Sequence, residues 1–292
     1  MGTQRSSDGP GSNVPFVPSW VLPVEMPPEA APPETEGESK DSPDEGQKEE
    51  EANKPKESSA SPAAPPALAP RARFRGARLN LGRFGASGAK RDLESGLGHY
   101  VRSGLGGAAQ GARRMGGTAH VAGRLAGGLQ GYCAGEASPT EIGLDRTSLA
   151  GRPAREVGDR IVDAVCPVDG TQDTEARRDA LSRAISETAD QFTDLDMTAL
   201  TPEQIEFLLE RFVAYDICHR IELDVGKAIF ERARDYAVAV KRIEEMRQYV
   251  REKISASFRA RAEKGQKLTR SATAALTARV IQDTMAVFED YI

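Results

Sequence analysis

Apolar residues recur at helical spacing throughout the C-terminal half of the chain. In TPEQIEFLLERF, Thr201 stands at the N-cap position, Pro202 follows in the first turn, and Gln204 completes a capping box. The residues after this start predict an amphipathic helix, because apolar side chains return every third or fourth position. Its predicted buried face comprises Ile205, Leu208, Leu209 and Phe212.

The same periodicity predicts most of the remaining fold. Earlier helices are expected at residues 154–166 and 173–192, and a last helix follows Gly265. No segment shows a convincing strand alternation, so we predict a mainly α fold with a helical bundle over residues 140–292. The longest apolar stripe consists of Leu223, Ile229, Phe230, Ala233, Tyr236, Val240, Ile243, Met246, Val250, Ile254 and Phe258.

The segment from residue 71 to 135 is rich in glycine and arginine and has its own pattern. Ala119, Gly123, Gly127 and Gly131 recur every four residues, so a helix here would present a ridge of bare backbone. Such a ridge permits very close approach of another helix or a ligand. Because glycine lowers helix stability by roughly 0.5–1 kcal/mol relative to alanine, we expect this helix to need a packing partner, in the fold or in a partner subunit.

Charge divides the 292-residue chain into zones that its net charge of −5 conceals. Residues 21–70 carry twelve acidic and four basic side chains, a net −8, together with many prolines. Because this composition buries too little apolar surface to fold, we predict a disordered acidic linker after an N-terminal motif at residues 1–20. Residues 71–130 carry eleven basic and two acidic side chains, a net +9. The linker is therefore either a solubilising spacer or a shield for the basic segment.

Missing motifs exclude several classes of enzyme. The sequence has no phosphate-binding GxxxxGK[ST] loop, no dinucleotide-binding GxGxxG after a strand, and neither HExxH nor CxxC spacing. Cys218 and His219 are neighbours in a predicted helix and point in different directions, which argues against a catalytic dyad. We therefore expect no enzyme activity, no catalytic or metal-binding residues, and no cofactor of the protein's own.

Cysteine content and hydropathy indicate the compartment. The three cysteines are far apart and odd in number, which argues against a disulfide framework and favours a reducing environment. No stretch approaches eighteen consecutive apolar residues, and the N-terminus lacks the pattern of a secretory signal. We expect a cytoplasmic protein that does not associate with membranes.

The basic segment suggests a binding function. Its candidate contacts to nucleic acid or other anions are Arg102, Arg113, Arg114 and Arg124. No helix-turn-helix, RRM or zinc pattern provides a scaffold for such contacts. Nucleic-acid binding is therefore the alternative hypothesis and not the leading one.

The first residues provide a reactive terminus. MGTQRS matches the myristoylation pattern through Gly2 and Ser6, but the Ala/Arg/Gly-rich composition is typical of bacterial proteins, in which this acylation is not expected. Removal of Met1 would expose the α-amine of Gly2. Because the pKa of an α-amine is about 8, a sizeable neutral fraction exists at pH 7. Gly2 is thus an unhindered nucleophile.

Three parts of the sequence together resemble one protein family. They are the leader MGTQRSSDGPGSNVPFVPSW, the block RFRGARLNLGRFGASGAKRDLESGLGHYVRSGLGGAAQGARRMGGTAHVAGRLAGGL and the helical C-terminal region. Together they are similar to the QatB family, subunits of the bacterial Qat anti-phage defence systems. The leader departs from the expected VPPW, because Ser19 replaces the second proline. The resemblance extends over the whole chain apart from the acidic linker.

This resemblance implies partners and a chemical role. Qat operons also encode an ATPase, a QueC-like protein and a TatD-like nuclease, and QueC-type enzymes activate the carboxylate of a 7-deazaguanine with ATP. The resemblance implies that Gly2 accepts a 7-amido-7-deazaguanine group and that Thr3 lies beside it in the partner's active site. The leader residues expected to dock on this partner are Pro15, Phe16, Val17, Pro18 and Trp20.

The predicted function is therefore that of a non-enzymatic subunit of an anti-phage defence complex. It would act as a scaffold and as the protein substrate of the QueC-like partner. The alternative is a nucleic-acid-binding adaptor that uses residues 71–130 to present invading DNA to the nuclease.

Overall fold

The structure is a computed structural model that describes residues 14–19, 21–24, 68–133, 144, 149, 151–193, 195–261 and 269–292. Gly2, Thr3 and Trp20 lie outside these residues, as does the stretch from 25 to 67, so the predictions made for them remain predictions. Within the described residues the secondary structure is helical apart from one isolated antiparallel bridge. The mainly α prediction is confirmed.

Two of the helical segments are π-helices, which we call π1 and π2. In chain order the helices are α1 (Arg75–Ser87), α2 (Lys90–His99), π1 (Tyr100–Leu105), α3 (Ala108–Arg114), α4 (Gly116–Cys133), α5 (Ala154–Val165), α6 (Gln172–Gln191), α7 (Pro202–Ile221), π2 (Glu222–Gly226), α8 (Lys227–Arg232), α9 (Tyr236–Arg261) and α10 (Arg270–Glu289).

The predicted helix starts are confirmed where the sequence has a clear cap. Thr201 Oγ1 accepts the N–H of Gln204 at 3.3 Å, and the Thr201 N–H donates to Gln204 Oε1 at 2.8 Å. This capping box satisfies two of the backbone groups that a helix N-terminus leaves open. Helices α5 and α6 also agree with the predicted spans to within one residue at each end.

The long apolar stripe is not one helix. Its first part forms π2 and α8, and α9 begins separately after a break. Asp235 starts the new helix, because its Oδ1 accepts the N–H of Val238 at 2.8 Å. The break changes the helical register, so Tyr236 and Val240 are 59% and 43% exposed where the stripe predicted burial.

One apolar core joins the Gly/Arg-rich segment to the C-terminal helices. Helix α10 packs along α3 and α4, α7 contacts α4, α6 and α9, and α1 packs on α2 and α8. Phe84 of α1, Leu125 of α4, Phe212 of α7 and Phe288 of α10 are buried members of the same cluster. Each such side chain stabilises the fold by roughly 1.5–3 kcal/mol when it leaves water. The basic segment is therefore held rigidly against the bundle.

The glycine ridge of α4 packs as expected. A Cβ atom at Gly123 would lie 2.5 Å from the carbonyl oxygen of Arg270, and one at Gly127 would lie 3.1 Å from the Arg270 Cβ. Both glycines thus face the first turn of α10. The packing partner that the glycine content demanded is a helix of the same chain, which is the first of the two alternatives that the sequence left open.

Candidate functional site

Part of the N-terminal leader lies on the helical body. We call residues 14–24, of which all but residue 20 are described, the leader segment. The N–H of Ala69 donates to the carbonyl oxygen of Val14 at 2.9 Å, and Pro15 and Leu68 form an antiparallel bridge. The leader segment is therefore paired with the backbone that enters α1.

Phe16 occupies a seat made by the absence of a side chain at Gly106. Three atoms of the Phe16 ring lie 3.1 Å from where a Gly106 Cβ would stand, and Gly106 has φ +83°, a conformation that disfavours other residues. The Arg73 guanidinium lies 5.6 Å from the centre of the Phe16 ring. Arg114 Nη1 donates to the Phe16 carbonyl oxygen at 3.4 Å. Phe16 is thus fixed by its ring and by its backbone.

A second contact holds the end of the leader segment. A Cβ at Gly116 would lie 3.0 Å from the Leu22 carbonyl oxygen and 3.2 Å from Val21 Cγ1. The same carbonyl oxygen lies 3.3 Å from Nε2 of His120, which donates to it when that nitrogen carries the proton. Gly106 and Gly116 therefore form part of the surface on which the leader segment packs. We call Arg73, Gly106, Arg114, Gly116 and His120 the leader seat.

A buried charge cluster lies in the same part of the fold. We define this cluster as the buried residues Arg73, Tyr100, Asp216, Arg220 and Asp224 together with the half-buried residues Arg114 and Asp173. The Tyr100 hydroxyl donates to Asp224 Oδ2 at 2.9 Å and so connects π1 to π2. π-Helical turns are rare and often occur at functional sites, so the Tyr100–Asp224 hydrogen bond that joins them marks a candidate functional position.

Two further bonds tie α7 into the cluster. Thr118 Oγ1 donates to Asp216 Oδ2 at 2.5 Å, and Arg220 forms an ion pair with Asp173 of α6. Each of these bonds joins elements that are distant in sequence. The cluster therefore fixes α4, α6 and α7 relative to one another.

Burial and the charge of Arg220 act in opposite directions on the pKa values of the carboxyl groups in the cluster. Desolvation raises the pKa of Asp216 and of Asp224 above the ordinary value, although the charge of Arg220 opposes it at both sites. Burial also acts to raise the pKa of Asp173, but the charge and hydrogen bond of Arg220 outweigh it and leave that pKa lowered. Asp173 is thus the ionised partner of Arg220.

Arg73 lacks such a partner. It is 4% exposed, and its three guanidinium nitrogens donate to no hydrogen-bond acceptor in the described part of the chain. Its contacts are with aromatic rings, those of Phe74 at 4.8 Å and Phe16 at 5.6 Å. Burial lowers the pKa of Arg73, and the charge of Arg114 lowers it further. Five N–H donors are therefore held in a dry position without an acceptor.

The four arginines predicted to contact anions lie in different settings. Arg102 and Arg113 are exposed, and Arg102 Nη2 also donates to the Glu289 carbonyl oxygen at 3.3 Å. Arg114 is half-buried in the leader seat. Arg124 is half-buried as well, and its Nη2 donates to the Ala164 carbonyl oxygen at 2.8 Å. Of these four arginines, only Arg102 and Arg113 have exposed side chains.

A separate groove with a cavity volume of about 1090 Å³ is bordered by α6, α7 and α9. His219 Nδ1 lies 3.5 Å from Asp179 on its wall. Cys218, its neighbour, is buried, and desolvation raises the pKa of its thiol well above the ordinary value. The thiol is thus no activated nucleophile. Among the described residues, no three His, Cys, Asp or Glu side chains are grouped to hold a metal, and no helix is long and apolar enough to cross a bilayer.

The comparison with family models identifies the group of proteins to which this sequence is related. Residues 106–288, more than half of the chain, match the family described as Qat anti-phage system associated protein QatB. The chain belongs to the QatB family. No curated protein and no solved structure matches it. The match to the QatB family begins at Gly106, the residue on which the Phe16 ring rests, and includes Arg114, Gly116 and His120 of the leader seat.

The sequence of this QatB-family chain predicts a docking role for the leader residues but does not predict the leader seat. Pro15, Phe16, Val17 and Pro18 were expected to contact a partner protein, and in the structure they are half-buried against their own chain. Docking of the leader on a partner remains a prediction. The available signal for the seat was the pair of doublets Gly106–Gly107 and Gly116–Gly117, the second of which directly follows Arg114 and Met115.

Replacing Phe16 with alanine is expected to release the leader segment from its seat. The change removes the ring from Gly106 and from Arg73, and loss of about 1.4 kcal/mol would raise the local opening equilibrium about tenfold. Hydrogen exchange of the Ala69 amide, which donates to Val14, measures this opening. Leu22→Ala is the control, since Leu22 is 66% exposed. Equal protection of Ala69 in wild type and Phe16→Ala would show that the ring does not anchor the leader.

Proposed function

We propose that this QatB-family chain is a non-enzymatic subunit of an anti-phage defence complex. It acts as a scaffold and as the protein substrate whose Gly2 amine is conjugated to a 7-deazaguanine by a QueC-like partner. Membership of the QatB family supports the assignment to a defence system. The contact that carries the substrate role is the seating of Phe16 on Gly106, because it fixes the origin of the N-terminal arm.

The anchored leader limits where the terminus can be presented. Twelve residues, Gly2 to Asn13, precede the first described residue of the leader segment. At no more than about 3.6 Å per residue, the Gly2 amine can extend at most about 43 Å from Val14. A QueC-like enzyme that modifies Gly2 would thus have to bind near the leader seat. This reach is shorter than it would be if the N-terminal motif and the acidic linker, residues 1–70, together formed one free arm.

The proposed chemistry uses the amine of Gly2 as the nucleophile. Once Met1 is removed, the neutral amine attacks the carboxyl carbon that the QueC-like partner has activated with ATP. An amide bond forms, the activating group leaves with the bonding electrons, and the amine loses a proton. Glycine suits this role because no side chain obstructs its approach. Thr3 would follow it into the partner's active site, and the operon ATPase and the TatD-like nuclease would bind elsewhere on the scaffold.

Mass spectrometry of the N-terminal peptide tests the proposal. We expect a mass increase confined to the peptide that begins at Gly2, and only when the chain is expressed with its QueC-like partner in cells that make 7-deazaguanines. One extra residue before Gly2 should abolish the increase, because the reactive amine is then displaced. An unmodified Gly2 in the complete system would refute the conjugation.

Variants of the exposed residues Arg102 and Arg113 distinguish the substrate role from the alternative function, presentation of DNA to the nuclease. Arg102→Glu together with Arg113→Glu should leave the Gly2 modification unchanged, because both side chains are exposed and neither belongs to the leader seat. If the chain instead presents DNA to the nuclease, this double variant should abolish defence while Gly2 variants remain active. Salt-dependent DNA binding that the double variant loses would support the alternative.

A further inference from the structure

The unpartnered guanidinium of Arg73 is the feature that the proposed function leaves unexplained. Buried polar groups in proteins are nearly always hydrogen-bonded, and an exception calls for a bound ion, a ligand or a special role. Arg73 is 4% exposed, and its Nε, Nη1 and Nη2 all lack an acceptor. Arg114 repeats the pattern, because its Nε is also buried without a partner.

The aromatic contacts of Arg73 leave its N–H donors without an acceptor. Phe74 lies 4.8 Å from the guanidinium carbon and Phe16 lies 5.6 Å from it. Rings contact the flat faces of a guanidinium, whereas its N–H groups point outwards in its plane. The two phenylalanines therefore hold the group without satisfying its donors. An acceptor has to approach the edge.

Neighbouring carboxyl groups do not supply that acceptor. Asp224 Oδ2 accepts the Tyr100 hydroxyl, and the Asp224 carbonyl oxygen accepts Nη2 of Arg78 at 3.4 Å. Asp173 is engaged by Arg220. Two cations that both contact Phe16, Arg73 and Arg114, thus keep donors without an acceptor, and the charge of Arg114 disfavours the charged form of Arg73.

We propose that Arg73 and Arg114 form a binding site for a small oxyanion, a carboxylate or phosphate group, beneath the leader segment. The planar fork of arginine matches both kinds of group, because two parallel N–H donors can reach two of their oxygens. Phe16 covers Arg73, and Arg114 Nη1 donates to the Phe16 carbonyl oxygen, so the oxyanion would also fix the seat on which the leader rests. The site does not depend on whether Gly2 is conjugated.

The oxyanion can come from solution or from this chain. Twelve carboxylates lie between Glu25 and Glu57, and both flanks of that stretch, Val24 and Leu68, are among the described residues at the leader. The chemistry is the same in both cases. A full-length chain in which these twelve residues are changed to Gln or Asn separates the two sources.

Thermal unfolding of the full-length chain in inorganic phosphate tests the site. At constant ionic strength set with sodium chloride, 20 mM phosphate is expected to raise the Tm of wild type by about 2–4 °C. Sodium acetate provides the matching carboxylate arm. Arg73→Gln should lose the anion-dependent rise, whereas Arg113→Gln, which removes the same charge from an exposed neighbour of Arg114, should keep it. Arg114→Gln serves as a second variant if Arg73→Gln does not fold.

Each outcome decides the proposal. The phosphate concentration that gives half of the maximal rise in Tm identifies the source of the oxyanion. Equal concentrations in wild type and in the amide-substituted chain assign a free oxyanion. A lower concentration in the substituted chain assigns an internal carboxylate. The proposal is overturned if phosphate and acetate both fail to raise Tm above the chloride control in wild type and also fail to do so in the amide-substituted chain. An undiminished rise in both Arg73→Gln and Arg114→Gln would overturn it as well.

Discussion

Arg220→Met is expected to lower the free energy of unfolding by about 3–5 kcal/mol at pH 7. Arg220 is 8% exposed and lies among three carboxyl groups, those of Asp173, Asp216 and Asp224. Burial alone would lower its pKa, but the charge and hydrogen bond of Asp173 outweigh burial and raise it. Methionine occupies a similar volume without the charge. The loss therefore arises from carboxylates that are left without compensation and not from a cavity.

The size of this loss should depend on pH in one direction. The folded-state pKa of Asp173 lies below its ordinary value of 3.8, so its ion pair stabilises the fold above that pH and is lost as pH falls through the folded pKa. The variant lacks this contribution at every pH. Its Asp216 and Asp224 also become easier to protonate, which relieves their burial in acid. The difference from wild type should thus be largest at neutral pH and shrink below about pH 4.

Arg183→Met is the matched control for this experiment. Arg183 also pairs with an aspartate, Asp179, at 3.0 Å, but the two side chains are 49% and 44% exposed. Exposed pairs of this kind contribute about 0.2–1 kcal/mol. Urea unfolding of both variants between pH 3.5 and 8 gives the comparison. A loss for Arg220→Met no larger than that for Arg183→Met would show that the cluster does not depend on its charge.

Features that depend on residues close together in the sequence, such as helix starts, could be predicted from the sequence. The capping box at Thr201 and Gln204 needs only residues three apart, and the structure contains both of its hydrogen bonds. The glycine spacing from Ala119 to Gly131 indicated a close helix partner for the same reason. Which helix that partner is could not be predicted, because α10 lies more than 130 residues away.

The buried cluster escaped prediction because its members are scattered. Arg73 and Tyr100 come from the basic segment, whereas Asp224 was one of several polar positions between apolar residues of a long stripe. Periodicity assigns such residues to a solvated face. The π-helical turns alter that assignment, since the wider turn rotates the side chains that follow it. Tyr100 and Asp224 belong to π1 and π2, and both are buried for this reason.

The break before α9 made part of the periodicity-based prediction wrong, because the apolar stripe continues across the break but the helix does not. Asp235 can cap a new helix only if the chain leaves the old one, and a stripe of apolar residues contains no information about that choice. Tyr236 and Val240 became exposed as a result. The family resemblance was less affected, because it rests on the leader and the Gly/Arg block as well as on the helical C-terminal region.

Gly123→Ala is expected to destabilise the chain by about 2 kcal/mol, although alanine is the better helix former. The new Cβ would lie 2.5 Å from the Arg270 carbonyl oxygen and 3.0 Å from the Ala274 Cβ. A backbone atom in the first turn of α10 cannot rotate away as a side chain would, so the whole helix must shift. Overpacking of this kind costs up to about 3 kcal/mol, and the helix propensity of alanine returns about 1 kcal/mol.

Gly127→Ala isolates the packing contribution. The substitution is the same, lies one turn along α4, and gains the same helix propensity, but its Cβ would meet the Arg270 Cβ at 3.1 Å and not a carbonyl oxygen at 2.5 Å. We expect its free energy of unfolding to stay within about 0.5 kcal/mol of wild type, since a few tenths of an ångström relieve this contact. Equal effects of the two variants in urea unfolding would mean that α4 and α10 do not approach through Gly123. A large effect confined to Gly123→Ala would establish that bare backbone in the Gly/Arg-rich segment is required by the bundle itself, before any partner binds.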